Sequence, residues 1–158
     1  MNAPANNLSS NLRKTESGFT LIELMVTIAV LAIIVGIAAP NISTQLANQR
    51  VKSTAATLEN ALSEAKAESV IRRQAQAVSY TNGTTDAGTI TIGSLKTYRY
   101  DAKSTINGVT GSITFNPSKI ASVAATYKVC DSNTNATARQ VSVSKLAVIS
   151  NQAGGTCP

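Results

Sequence analysis

A chain of 158 residues has room for at most one ordinary globular domain beside a targeting or membrane segment. Lys and Arg outnumber Asp and Glu by 14 to 8, but the cations are scattered along the chain, the pattern of a solvated surface rather than of a nucleic-acid stripe. With no His, two Cys and no Gly-rich phosphate loop, the composition excludes the common metal sites and acid–base constellations, and no cofactor or catalytic activity is expected.

Residues 1–18 are polar and carry Arg13 and Lys14. An ordinary secretory signal places its apolar stretch before the cleavage site, whereas here the apolar stretch follows the polar segment. From Phe19 to Ala39 the run carries one charge, Glu23. At the helical rise it is about 31 Å long, close to the hydrocarbon thickness of a bilayer. Arg13 and Lys14 place the N-terminus in the cytoplasm and the remainder across the membrane.

The residues Gly18-Phe19-Thr20-Leu21-Ile22-Glu23-Leu24 resemble the motif shared by type IV prepilins and type II secretion pseudopilins. The resemblance implies that a membrane-embedded prepilin peptidase cuts between Gly18 and Phe19 and methylates the new Phe19 amino group. It also implies a single-pass inner-membrane protein with a periplasmic C-terminal domain, later lifted by an assembly platform into a fibre or its tip. Glu23 has a physical argument of its own. A carboxylate within an apolar segment costs on the order of a few kcal/mol near the bilayer centre and less at its edge, so it is a functional candidate. Its partner after cleavage would be the amino group of Phe19, in the same chain or in a staggered neighbour. In the family that intersubunit pairing draws a new subunit into register.

Pro40 follows the apolar run and Gly36 precedes it, a pair expected to kink or loosen a helix, with a helix boundary as the alternative. Beyond Pro40 the apolar residues Ile42, Leu46, Val51, Ala55, Leu58, Leu62, Ala65 and then Ser69 keep one helical face, and Glu68 and Arg72 stand one turn apart. The spacing predicts a helix to about Gln74, about 80 Å from Phe19 at the standard rise. The segments are therefore a leader over 1–18, a membrane or filament-core helix over 19–39, its amphipathic half over 40–75, and a β-rich part over 76–158.

From Gln76 the period changes to two. Strands are predicted over 77–80, 89–92, 95–100, 112–116, 126–131, 140–144 and 146–150, rich in β-branched and aromatic residues. Turn signals stand at Asn82-Gly83, Asn107-Gly108, Asn116-Pro117 and Gly154-Gly155. The expected class is α+β: a long N-terminal transmembrane-plus-amphipathic helix packed on an antiparallel β domain of one or two sheets, which the resemblance makes pilin-like. If this part is exported, Cys130 and Cys157 form one disulfide; in a cytosolic protein they would be two reduced, buried thiols.

A second resemblance is to the GspH/FimT/FimU group of minor pilins and pseudopilins. It is carried by Ile113-Thr114-Phe115-Asn116-Pro117, by Arg139-Gln140-Val141-Ser142-Val143-Ser144, and by the helix stretch over 58–73 with Ala65-Lys66-Ala67-Glu68-Ser69-Val70-Ile71-Arg72-Arg73. The group's DNA-binding members carry Gly-Arg-x-Arg after the late strand, where this chain has Lys145-Leu146-Ala147-Val148-Ile149, and a position that is often Gly in the group is Lys119. Without the paired guanidinium groups a phosphate clamp is missing. The resemblance therefore implies a FimU-like minor pilin of a tip or priming complex, supporting pilus assembly, twitching motility and DNA uptake, with other minor pilins and the major pilin as partners. A GspH-like pseudopilin of type II secretion and a DNA-binding tip module are the alternatives.

Overall fold

A computed structural model describes residues 18–157. Helix α1 covers Leu21–Arg72, and eight strands follow: β1 (Gln76–Thr81), β2 (Gly88–Ile92), β3 (Lys96–Tyr100), β4 (Ser104–Asn107), β5 (Ile113–Phe115), β6 (Ala125–Asp131), β7 (Arg139–Val143) and β8 (Ile149–Ala153). The leader expected over 1–18 lies, apart from Gly18, outside the described residues. The chain divides into two compact units, Met1–Ala38 and Ala39–Pro158.

In the first unit the apolar side chains from Leu21 to Ile37 are all exposed. Their stretch of α1 is long and apolar enough to cross a membrane, with a mean hydropathy of 2.7. Burial in lipid or against other helices is what such a surface needs. Thr27 returns its hydroxyl to the Leu24 carbonyl at 2.8 Å, which satisfies the polar group within the apolar stretch. The bounds of α1 include Gly36 and Pro40.

The second unit places eight strands in two antiparallel four-stranded sheets, ordered β3-β2-β1-β5 and β4-β6-β7-β8. Ala47, Val51, Thr54, Ala55, Leu58, Ala61, Leu62, Ala65 and Ser69 form the buried stripe of α1, recurring every three or four residues as a helix facing a core requires. Opposite them lie Ile90, Ile92, Ile113 and Phe115 of the first sheet and Ile106, Val129, Val141 and Val143 of the second, all at most 2 % exposed. Tyr80 of β1 and Tyr127 of β6 meet edge to face at 6.0 Å and join the two sheets. Asn82 adds a second junction: its Oδ1 accepts from the Ile106 N–H at 2.8 Å and the Tyr100 hydroxyl at 2.6 Å, and its amide donates to the Ile106 carbonyl at 2.9 Å. Cys130 and Cys157 are joined as a disulfide that ties the end of β6 to the C-terminal segment.

Three expectations need correction. Ile42 and Leu46 belong to the expected apolar face but are exposed, because the covered stripe begins only at Ala47. Strand β4 is absent from the predicted set: Ser104-Thr105-Ile106-Asn107 is short and polar, and only pairing with β6 makes it a strand. The last strand is Ile149–Ala153 rather than 146–150. Its apolar start misled, since Leu146 and Val148 point outward from a turn closed by Ser144 N–H to Val148 carbonyl at 2.9 Å, with Ala147 at φ 53°.

Candidate functional site: the N-terminal segment and the domain it carries

The head of α1 is built by Thr20. Its Oγ1 accepts the Glu23 N–H at 3.3 Å and its carbonyl accepts the Leu24 N–H at 3.2 Å, so Thr20 is the helix N-cap. Thr20-Leu21-Ile22-Glu23 has the Thr-x-x-Glu spacing of a capping box, a local signal for the helix start. The cap starts the helix directly after Phe19 and puts Glu23 in the first turn, where a carboxylate is favoured by the helix dipole. Glu23 and Phe19 are both exposed, and Glu23 has no ion-pair partner among the described residues. A Cβ on Gly18 or on Gly36 would meet nothing within 4 Å, so packing within the chain does not require glycine at either position. Pro40 lies inside α1.

In the second unit the polar face of α1 grips the β domain at several levels. Arg50 donates from Nε to Asp131 Oδ2 at 2.8 Å and from Nη2 to Oδ1 at 3.0 Å, a bidentate pair whose carboxylate has no exposed side-chain surface. Burial pushes the Asp131 carboxyl up, but the bonds from Arg50 and from the Asn133 N–H hold it, on balance, below the ordinary carboxylate value. The Asp131 hydrogen bond in turn raises Arg50. Farther along, Glu59 accepts from Asn151 at 2.9 Å, and Asn151 accepts from Arg139 Nε at 2.9 Å. Glu64 accepts from the Tyr98 hydroxyl and from Lys96 at 3.3 Å; the tyrosine bond, with Lys96 assisting, lowers its pKa. Lys66 donates to the Ala147 carbonyl at 2.7 Å, and Glu68 and Arg72 form the expected pair one turn apart at 2.5 Å. Arg50 and Lys66 read as solvated charges in the sequence because the residues they bond lie 81 positions away.

The second set of sequence signals falls on defined places. Phe115 is fully buried at the end of β5, the Asn116 carbonyl accepts from Ser69 Oγ at 3.3 Å, and Arg139 opens β7. These positions hold the helix to the sheets.

Residues 13–39 match the prokaryotic N-terminal methylation motif. Two crystal forms of the type IV minor pilin FimU from Pseudomonas aeruginosa share the fold, each at 20 % identity. One has a TM-score of 0.53 and covers 68 % of this chain and 99 % of its own; the other has 0.54, with 70 % and 96 %. The N-terminus thus carries the methylation motif, and the chain shares the fold of these minor pilin structures. No curated protein matches the sequence.

Within this pilin-like domain the strand bearing the late Arg-x-Val pattern, β7, leads into the Ser144–Val148 turn, which holds Lys145 and no arginine. Lys119, at the position often occupied by Gly, has φ 63°. A side chain in that left-handed region costs about 1 kcal/mol relative to glycine.

Proposed function

We propose that the chain is a minor type IV pilin: a structural, non-enzymatic subunit made as a membrane-held precursor, cut between Gly18 and Phe19, and N-methylated on Phe19. The observation that carries this reading is an α1 whose exposed apolar first half begins at a threonine cap and bears one carboxylate, Glu23, in its first turn. Lipid covers the apolar surface before assembly, and the helices of neighbouring subunits cover it afterwards. The change leaves the apolar side chains buried throughout, so the remaining selectivity lies with Glu23. Its carboxylate pairs with the amino group that cleavage creates on Phe19 of a neighbour. An uncut precursor has no such amino group there and so cannot make the pair. The peptidase explains the free space around Gly18, since the demand for a small residue then comes from the processing enzyme.

Gly36 and Pro40 supply a stretch that can loosen when the helix is packed in a fibre, because a proline nitrogen has no hydrogen to give to the preceding turn. The β domain, periplasmic before assembly, contacts other minor pilins and the major pilin in a tip or priming complex. That complex supports fibre assembly, twitching motility and DNA uptake. A role as a DNA-binding tip module has less support, since the cations are scattered and the paired arginines are missing after β7.

A deletion strain assayed for twitching and surface pili, with secreted enzyme activity measured beside them, tests the reading. Loss of pili with normal secretion is expected. Lost secretion with intact pili would move the subunit to a type II secretion pseudopilus, and normal pili with normal secretion would reject a subunit role in both systems.

A further inference from the structure

We propose that the surface at the C-terminal end of α1 docks an acidic face of a different protein subunit, and not a second copy of this chain; this rests on reading the chain as a filament subunit. Three segments build the surface: the last turns of α1, the Asn116–Ala121 turn and the Ser144–Val148 turn. They are tied together by Ser69 Oγ to the Asn116 carbonyl at 3.3 Å, Lys66 Nζ to the Ala147 carbonyl at 2.7 Å, and the Ala121 N–H to the Lys145 carbonyl at 2.9 Å. From this frame Val70, Ile71, Ile120, Leu146 and Val148 present aliphatic side chains to solvent, Ile71 and Leu146 with almost three quarters of their surface exposed. An open depression of about 450 Å³ lies along the helix end, between Val70, Ile71 and Lys119. A concentration of large aliphatic side chains on the outside of a small domain marks an interaction surface.

Among the described residues, those other than glycine with left-handed φ are Arg73 at 53°, Lys119 at 63° and Ala147 at 53°, one in each of the three segments. Each stands where the chain turns: Arg73 follows the last residue of α1, and Lys119 and Ala147 close turns through their N–H bonds to the Asn116 and Ser144 carbonyls. At Lys119 glycine would be easier to accommodate, yet the chain holds a cation there.

Charge then selects the occupant. Arg73, Lys119 and Lys145 have no ion pair among the described residues, and Glu68, beside them, is already neutralised by Arg72. The same face of a second copy would set cations against cations, which disfavours pairing. Among the acids of the second unit, Glu59, Glu64, Glu68, Asp101 and Asp131 already bond groups of the chain, which leaves Asp86 as a single acid to set against three cations in a contact with another face of a second copy. A nucleic acid is disfavoured because the exposed centre is aliphatic and offers no ring on which a base could stack. The occupant is therefore another protein with an apolar centre rimmed by Asp or Glu.

The test uses the full chain in the bacterium that makes it, with a benzophenone amino acid in place of Leu146 and, separately, of Leu31 in the anchor. Cross-linked products are identified by mass spectrometry. Expected at Leu146 is a product with a different pilin-like chain, joined at a segment containing Asp or Glu. Its yield should fall at least about fivefold in Lys119→Glu/Lys145→Glu. Lys119→Gly, which relieves the backbone and so preserves the fold, should also lower it. Restoration on exchanging the partner's acids for Lys would support the charge match. Products with a second copy, with lipid or with DNA would overturn the proposal, as would no product at Leu146 while Leu31 still cross-links to other subunits. Failure at both positions would instead reject the subunit reading itself.

Discussion

Substituting Asp131 tests how α1 is held to the β domain. In Asp131→Asn the amide keeps the oxygen that accepts from the Asn133 N–H at 2.9 Å, but an NH2 group replaces the oxygen that faces Arg50 Nε at 2.8 Å. One charge-assisted bond becomes a donor set against a donor, a loss of about 1.5–3 kcal/mol. Arg50 retains some exposed surface and has Asp101 at 3.9 Å to turn toward, which places the expected loss near the lower end, at about 2 kcal/mol. Arg50→Met should cost more, about 3–4 kcal/mol, because it takes both charge-assisted bonds from a carboxylate with no exposed side-chain surface and leaves it only the through-space attraction of Lys103. Thermal unfolding of the full chain in detergent micelles at neutral pH should lower the melting temperature by about 6–10 °C for Asp131→Asn and further for Arg50→Met. The folded-state pKa of Asp131 lies below its ordinary value of 3.8. Its stabilisation is thus present above that value and is lost as pH falls through the folded-state pKa, so the gap between native protein and Asp131→Asn should narrow as the pH is taken below about 4. A melting temperature for Asp131→Asn within about 2 °C of the native chain at neutral pH, or Asp131→Asn falling below Arg50→Met, would refute the reasoning.

Replacing Cys130 and Cys157 by Ser opens a loop with a sequence separation of 27 and should cost about 3.5 kcal/mol on the loop-entropy account, read from the same melting curve without reductant. In Gly88→Ala the new Cβ would run into the ring of Tyr100 across the β2–β3 pair, so a loss of about 1–3 kcal/mol is expected. Gly18→Leu should leave uncut precursor in the membrane; mature-sized protein on a gel would count against cleavage at Gly18. Glu23→Ala should be cut normally yet enter fibres poorly, and unchanged pilus recovery would remove its pairing role.

The anchor was legible because its signals are local. Apolar length, one carboxylate and the spacing from Gly18 to Glu23 need no partner elsewhere in the chain, and the same is true of the two-residue period behind most of the strands. Where an element depends on what covers it, the reading faltered. Ser104-Thr105-Ile106-Asn107 has little strand character of its own and becomes β4 through β6 and Asn82. Leu146 and Val148 look like strand interior, but the Ser144–Val148 turn, closed by its own backbone bond, faces them outward.

By itself, then, the sequence determined the order of apolar helix, amphipathic helix and strands, together with the methylation motif, since each follows from neighbours a few residues apart. Only the tertiary structure decided the two-sheet arrangement, the start of the buried stripe at Ala47, and the conversion of Arg50 and Lys66 from solvated charges into clamps on β6 and on the turn before β8. It alone also brought the turns bearing Lys119 and Ala147 against the C-terminal end of α1. The physical reason is common to all of these. A hydrogen bond, an ion pair or a buried contact between residues distant in the chain leaves no periodic trace in either segment, and it exists only once the fold has brought the two together.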